Sequence, residues 1–308
     1  MRKTIKLIFG LILVALVVGI LPAQHSGMLS QYMFNGLVIN PAYAGSQGDL
    51  TVNLNYRNQW TGFKGAPISQ VASIHSSIKR KPISLGGMVF REQSGLSSDL
   101  QVISMAAYKL KLKKGDIQFG LGGGVGISSS QWSEAVIEER GDPLFQQDVG
   151  GLLRPIFSAG AFYKNRKWYA GYSMPSLLKY SYPSYDQVKG SFSVLSVEHL
   201  VTAGYVYKIN RNVIWKPSVL VKSIPNSGFQ FDLNSNWILN KKLWVGLSYR
   251  HLDAMIALLE YQAHYQFKVG YAYDYTIGPI GAYSAGSHEI MLMWVFKKQA
   301  VARNPRYF

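Results

Sequence analysis

Histidine is the residue type here best suited to metal or proton chemistry, and its six copies stand at positions 25, 75, 199, 251, 264 and 288. No two share a metal-ligand spacing, and the chain has no cysteine to complete a thiolate set. His251 lies two positions before Asp253, and His288 adjoins Glu289, so each could offer a base beside a carboxylate. No Gly-x-Ser-x-Gly elbow, Walker loop or His-Glu-x-x-His accompanies them, and they read more simply as polar groups at strand ends. Gly120, Gly122, Gly124 and Gly126 lack the spacing and strand-to-helix setting of a dinucleotide fingerprint. On a strand they share one face, where they would admit a close-lying chain or ease the curvature of a sheet. No catalytic residue, metal ligand or cofactor site is expected, and a lipase or protease is the weaker class.

The elements that position these residues begin with an export signal. Arg2, Lys3 and Lys6 precede an apolar run from Leu7 to Leu21, the layout of a signal peptide. The run falls short of the roughly 18 to 20 residues a spanning helix needs. Leu21-Pro22-Ala23 offers a cleavage site before Gln24. Three of the 32 Lys and Arg residues leave with that peptide, so 29 basic residues face 16 acidic ones in the mature chain. Such an excess would ordinarily suggest nucleic acid, but export argues against that partner. Without cysteine there is no disulfide framework, and stability must come from backbone pairing and packing.

Composition narrows the class further. Twenty tyrosines, 30 glycines and few charges, at a mean hydropathy of +0.02, fit strands with one side in lipid and the other in water. No later segment holds 18 apolar residues in a row, which argues against a helical membrane protein. Alternation carries the case, because a period of two is useless to a helix and required of a strand between two media. Leu50, Val52, Leu54 and Tyr56 fall on one face, with Thr51, Asn53, Asn55 and Arg57 on the other. Tyr265, Phe267, Val269, Tyr271, Tyr273 and Tyr275 oppose Gln266, Lys268, Gly270, Ala272, Asp274 and Thr276. Phe229, Phe231 and Leu233 oppose Gln230, Asp232, Asn234 and Asn236, and a last strand turns Ile290, Leu292, Trp294 and Phe296 outward.

The pattern predicts an all-β transmembrane antiparallel barrel of about 14 strands, near 49–58, 66–79, 83–92, 98–112, 115–128, 153–164, 167–175, 197–209, 212–223, 227–239, 242–251, 253–262, 264–276 and 286–298. The alternation is blurred in 66–79 and 253–262. The chain divides into a signal peptide (1–23), an N-terminal segment (24–48), the barrel (49–298) and a basic tail (299–308).

In such a barrel every second connection is a short inner turn. Those expected to face the periplasm carry Lys79, Arg80 and Lys81; Lys113 and Lys114; Lys164, Arg166 and Lys167; Arg211; and Lys241 and Lys242. The sixth, Gln262-Ala263, is neutral. The two longest outer connections hold most of an acidic cluster, Glu134, Glu138, Glu139, Asp142 and Asp148. The basic rim reads either as a solvated edge or as a docking ring for an acidic periplasmic partner or anionic head groups, weakened by salt.

The stretch from Ser30 to Ser46, with Gln31, Tyr32, Met33, Asn35, Asn40, Pro41, Ala42, Tyr43, Ala44 and Gly45, resembles the hallmark N-terminal motif of the PorP/SprF family. Tyr56 to Trp60, Asp142 to Phe145, Gly171 to Leu178, Tyr271 to Tyr275 and Gly286 to Ile290 are similar to that family's later segments, so the likeness spans nearly the whole mature chain. The resemblance implies a non-enzymatic outer-membrane barrel of type IX secretion and gliding motility. Its implied partners are outer-membrane lipid, periplasmic secretion components, and a secreted adhesin or C-terminal-domain substrate. The tail from Lys297 to Phe308 departs from the family's pattern of stopping at a terminal aromatic.

Asn40-Pro41-Ala42-Tyr43 reads as a turn. The motif either closes the periplasmic end of the barrel or lies in or across the lumen and contacts a partner there. The alternative function is a passive, anion-preferring porin, with Lys109, Lys111, Lys216, Lys222 and Arg250 lining the lumen.

Overall fold

The computed structural model describes residues 28–134, 148–184, 187–192, 197–224 and 228–296. The signal peptide, His25, Glu138, Glu139, Asp142 and the basic tail lie outside these residues.

Strands form where apolar and polar residues alternate between turn-forming clusters. They are β1 (Leu50–Asn58), β2 (Ile68–Ser77), β3 (Ile83–Ser94), β4 (Ser97–Leu112), β5 (Gly115–Ser130), β6 (Val149–Lys164) and β7 (Trp168–Met174). After a short outer hairpin of β8 (Leu178–Ser184) and β9 (Gln187–Phe192) come β10 (His199–Tyr205) and its continuation β11 (Tyr207–Lys208). The last six are β12 (Val213–Ile224), β13 (Gly228–Leu239), β14 (Leu243–Arg250), β15 (Ala254–Tyr261), β16 (Phe267–Thr276) and β17 (Ser287–Phe296).

Neighbours in sequence pair antiparallel, β10 bridges β7 and β12, and β1 pairs with β17. This closes a barrel of 14 strands once β11 is counted with β10 and the β8–β9 hairpin is set aside. Closure gives every barrel strand two hydrogen-bonded neighbours among the described residues, which suits a lipid layer where an unsatisfied backbone group would be costly. The hairpin lies outside the expected strands, in the long outer connection; the Tyr180 hydroxyl donates to the Pro155 carbonyl, and Leu177 N–H donates to Phe157.

Side-chain direction follows the expected alternation. Leu54, Tyr56, Phe119, Leu121, Leu247 and Trp294 lie on the exposed exterior, while Thr51, Asn53, Asn55, Arg57, Asp232 and Asp274 are buried inside. The blurred strands also resolve. In β2, Ser69, Val71, Ser73 and His75 point inward; in β15, Ala254, Ile256, Leu258 and Glu260 do. The inner sides of these two strands are partly apolar because what they face is packed protein, where the sequence suggested water.

Candidate functional site: the lumen and its N-terminal segment

The short basic turns and the start of β1 share one end of the barrel, called inner below; Arg57, Arg250, Asp274 and Glu289 stand near the outer strand ends. The described chain begins at the outer half of the lumen and runs down through it before turning into β1 at the inner mouth. Nearly every residue from Leu29 to Ser46 is buried. The segment thus runs through the lumen and also fills its inner mouth.

Its outer half is held by charge. Arg57 reaches Asp274 at 2.7 Å and Glu289 at 3.6 Å, all three almost fully buried. Ser30 sits inside this cluster: its hydroxyl accepts from Arg57 at 2.7 Å and donates to Asp274 at 2.6 Å, and its N–H donates to Glu289 at 2.6 Å. Gln31 donates its backbone N–H to the Glu289 carboxylate and its side-chain amide to the Glu289 carbonyl, both at 3.2 Å. Arg250 pairs with Asp232 at 3.1 Å and donates to the Leu29 carbonyl at 3.4 Å. Tyr32 accepts from Asn234 at 2.7 Å, and Asn35 joins Asn55 and Ser73 at 3.1 and 3.0 Å. Carboxylates and guanidinium groups this deep persist only because each has an opposite charge and hydrogen bonds around it.

Apolar contact and close backbone approach hold the inner half. Asn40 caps a short 3-10 turn, Pro41–Tyr43, by accepting from Ala42 N–H at 2.9 Å, and Pro occupies the first position, where its missing donor costs nothing. The Asn40 amide also donates to the carbonyls of Ala161 and Tyr172 at 3.0 and 3.3 Å, tying the turn to β6 and β7. Pro41 and Ala42 lie against the inner face of β5 at Gly120, where a β-carbon would overlap the Ala42 backbone. Of the two readings of the glycine row, close approach applies at this position. Tyr43 packs edge-on against His75 and Phe162, with centroids 5.8 and 5.4 Å away. Gly45 adopts φ +64 and donates to His75 Nδ1 at 3.2 Å. Leu37, Ala42 and Ala44 complete a cluster with Met88, Ile103, Met105 and Phe162.

Three cations expected to line the lumen do so, and each is matched. Lys222 meets Glu198 at 3.1 Å, Arg250 has Asp232, and Lys216 lies 5.3 Å from the ring centres of both Tyr169 and Trp244. Lys268, bonded to Glu260 at 2.8 Å, approaches Trp244 from 5.2 Å. Lys109 and Lys111 fall at the inner end of β4, where Lys111 is exposed.

The inner turns hold Lys79, Arg80, Lys81, Lys113, Lys114, Arg166, Lys167, Arg211, Lys241 and Lys242, all exposed. Lys164 differs: it turns inward, and its ammonium donates to the Ser46 carbonyl at the foot of the N-terminal segment. The two carboxylate pairings considered from sequence separate: His288 faces outward while Glu289 faces the lumen, and Asp253 lies 3.7 Å from Arg250 while His251 stacks on Phe231. Sequence reasoning placed Arg57, Asp232, Asp274 and Arg250 on the inner face and Ser30 at the start of the N-terminal motif but did not join them, and it overlooked Glu260. The signal for Glu260 was a lone carboxylate at an inward position of an otherwise apolar strand. Among the described residues no group of three metal-ligating side chains converges.

The family described as type IX secretion system membrane protein PorP/SprF matches residues 22–294. No curated protein matches the sequence. Among solved structures, the toluene transporter TbuX of Ralstonia pickettii is 10% identical, with a TM-score of 0.52 over 85% of this chain and 93% of its own. The toluene transporter TodX of P. putida is 9% identical, with a TM-score of 0.49 over 85% and 94%. The outer membrane protein Omp33 of Acinetobacter baumannii is 10% identical, with a TM-score of 0.48 over 82% and 100%. At 10% identity the likeness to TbuX is one of fold.

Proposed function

Because the chain belongs to the PorP/SprF family of type IX secretion system membrane proteins, we propose that this outer-membrane barrel binds periplasmic secretion components and helps to export or surface-anchor a secreted adhesin or C-terminal-domain substrate. The observation that carries this reading over a passive pore is the segment from Leu29 to Ser46, packed through the lumen from its outer half to its inner mouth. A diffusion channel needs free space and weakly engaged lining charges. Here Arg250, Lys216, Lys222 and Lys268 are engaged by carboxylates or aromatic rings. The exposed turn cations at the inner mouth offer an electrostatic docking ring to an acidic periplasmic partner.

Two measurements test it. In planar bilayers the purified protein should show little steady conductance, whereas a large anion-selective current would favour the porin. From membranes it should co-purify with periplasmic secretion components, and charge reversal at Lys79, Lys81, Lys113, Lys114, Arg166 and Lys241 should release them. Unchanged co-purification would remove the docking ring from the proposal.

A further inference from the structure

The lipid-facing wall has two chemically different rims. Toward the inner end its exterior carries Trp168, Trp237 and Trp294, with half-buried Trp215 stacked on Trp237, the amphipathic belt that any barrel places at an interface. Toward the outer end stand three imidazoles, each set on an aromatic ring. His199 of β10 has the Tyr172 hydroxyl 2.8 Å from its Nδ1. His288 of β17 has the Tyr271 hydroxyl at 2.6 Å and the Tyr273 ring centre at 5.2 Å. His251, just past β14, stacks on Phe231 at 4.5 Å.

A cation completes the outer rim. Arg91 of β3 is exposed and turned outward, in register with Gln70 of β2, which is in register with Tyr56 of β1. Among the described residues no carboxylate pairs with it, and Glu92, Asp99, Asp232, Asp274 and Glu289 all lie on the inward side of their strands. An arginine on the lipid face is costly at mid-bilayer, by about 2 to 4 kcal/mol, and tolerated near an interface. A planar guanidinium suits phosphate oxygens, and the imidazole N–H groups, on strands set apart from Arg91 around the same rim, are donors of the same kind for further head groups.

We propose that the outer rim is a binding belt for the phosphate groups of a glycolipid in the outer leaflet, with Arg91 as the charged anchor and His199, His251 and His288 as further donors around the barrel. The partner is a phosphorylated lipid surface, independent of whatever docks at the inner mouth.

The test reconstitutes the protein in nanodiscs with lipid A or with its phosphate-free counterpart, and counts lipid retained by native mass spectrometry. The expected result is a preference of about tenfold for the phosphorylated form, the scale of one charge-assisted hydrogen bond. Inorganic phosphate at millimolar concentration should not displace it. The combined variant Arg91→Gln, His199→Phe, His251→Phe and His288→Phe keeps aromatic bulk and should abolish the preference; Arg91→Gln alone, which leaves the wall otherwise intact, should reduce it. Folding of each is checked by the mobility of the unheated barrel on gels. Equal retention of both lipids, displacement by inorganic phosphate, or a folded combined variant that keeps the preference would overturn the proposal.

Discussion

The outer and inner halves of the lumen hold the same N-terminal segment by opposite means. Near the outer end, the wall's own ion pairs, Arg57 with Asp274 and Arg250 with Asp232, surround Ser30, Gln31 and the Leu29 carbonyl. Near the inner end, Pro41, Ala42 and Tyr43 press on glycine and aromatic surfaces, with Asn40 supplying the polar anchor. Charge pairs fix position because misplacing them leaves a buried charge unmatched, whereas apolar contact fixes shape because interiors tolerate neither gaps nor overlap. The segment is thus held in register at one end and fitted to the wall at the other.

The largest expected effect comes from the charged half. Arg57→Met leaves Asp274 and Glu289 facing each other without a cation, and urea unfolding in detergent should show a loss of about 3 to 5 kcal/mol. Adding Asp274→Leu should return part of that loss, since removing both members of a buried pair is far milder than removing one. Gly120→Val tests the fitted half: the overlap with Ala42 should cost about 1 to 3 kcal/mol and raise single-channel conductance as the segment shifts. A Gly120 variant that cost more than Arg57→Met would reverse the ranking of the two halves. The smallest effect is expected for Asn40→Ala, about 1 to 2 kcal/mol for a lost cap. Its signature should be local, with faster amide exchange around residues 41–44 than around residues 30–35. Equal acceleration in both would mean that the halves do not act separately.

Particular residues show how far the sequence reaches. Leu50 to Arg57 alternate so regularly that the strand, its lipid side and its polar side are legible without a structure. The clusters of Lys79 to Lys81 and of Lys113 and Lys114 likewise announce short turns on one rim. The N-terminal motif was recognisable, but its route was not, because nothing local says that Asn40 will bond to β6 and β7 or that Gly120 will receive Ala42. The outer hairpin escaped notice because Tyr180, Pro183 and Gly190 break any simple alternation there.

Alternation between two media is a local property, written two residues at a time, and so the sequence by itself determined the barrel, its strands and which side of each meets lipid. What fills the barrel was decided by tertiary structure alone. Ser30 and Glu289 stand 259 residues apart and meet only when β1 closes on β17 and the chain ahead of β1 threads the space within. An inward arginine or aspartate has no identifiable partner until that closure sets the distances, which is why the inner-face charges were visible in the sequence and their purpose was not.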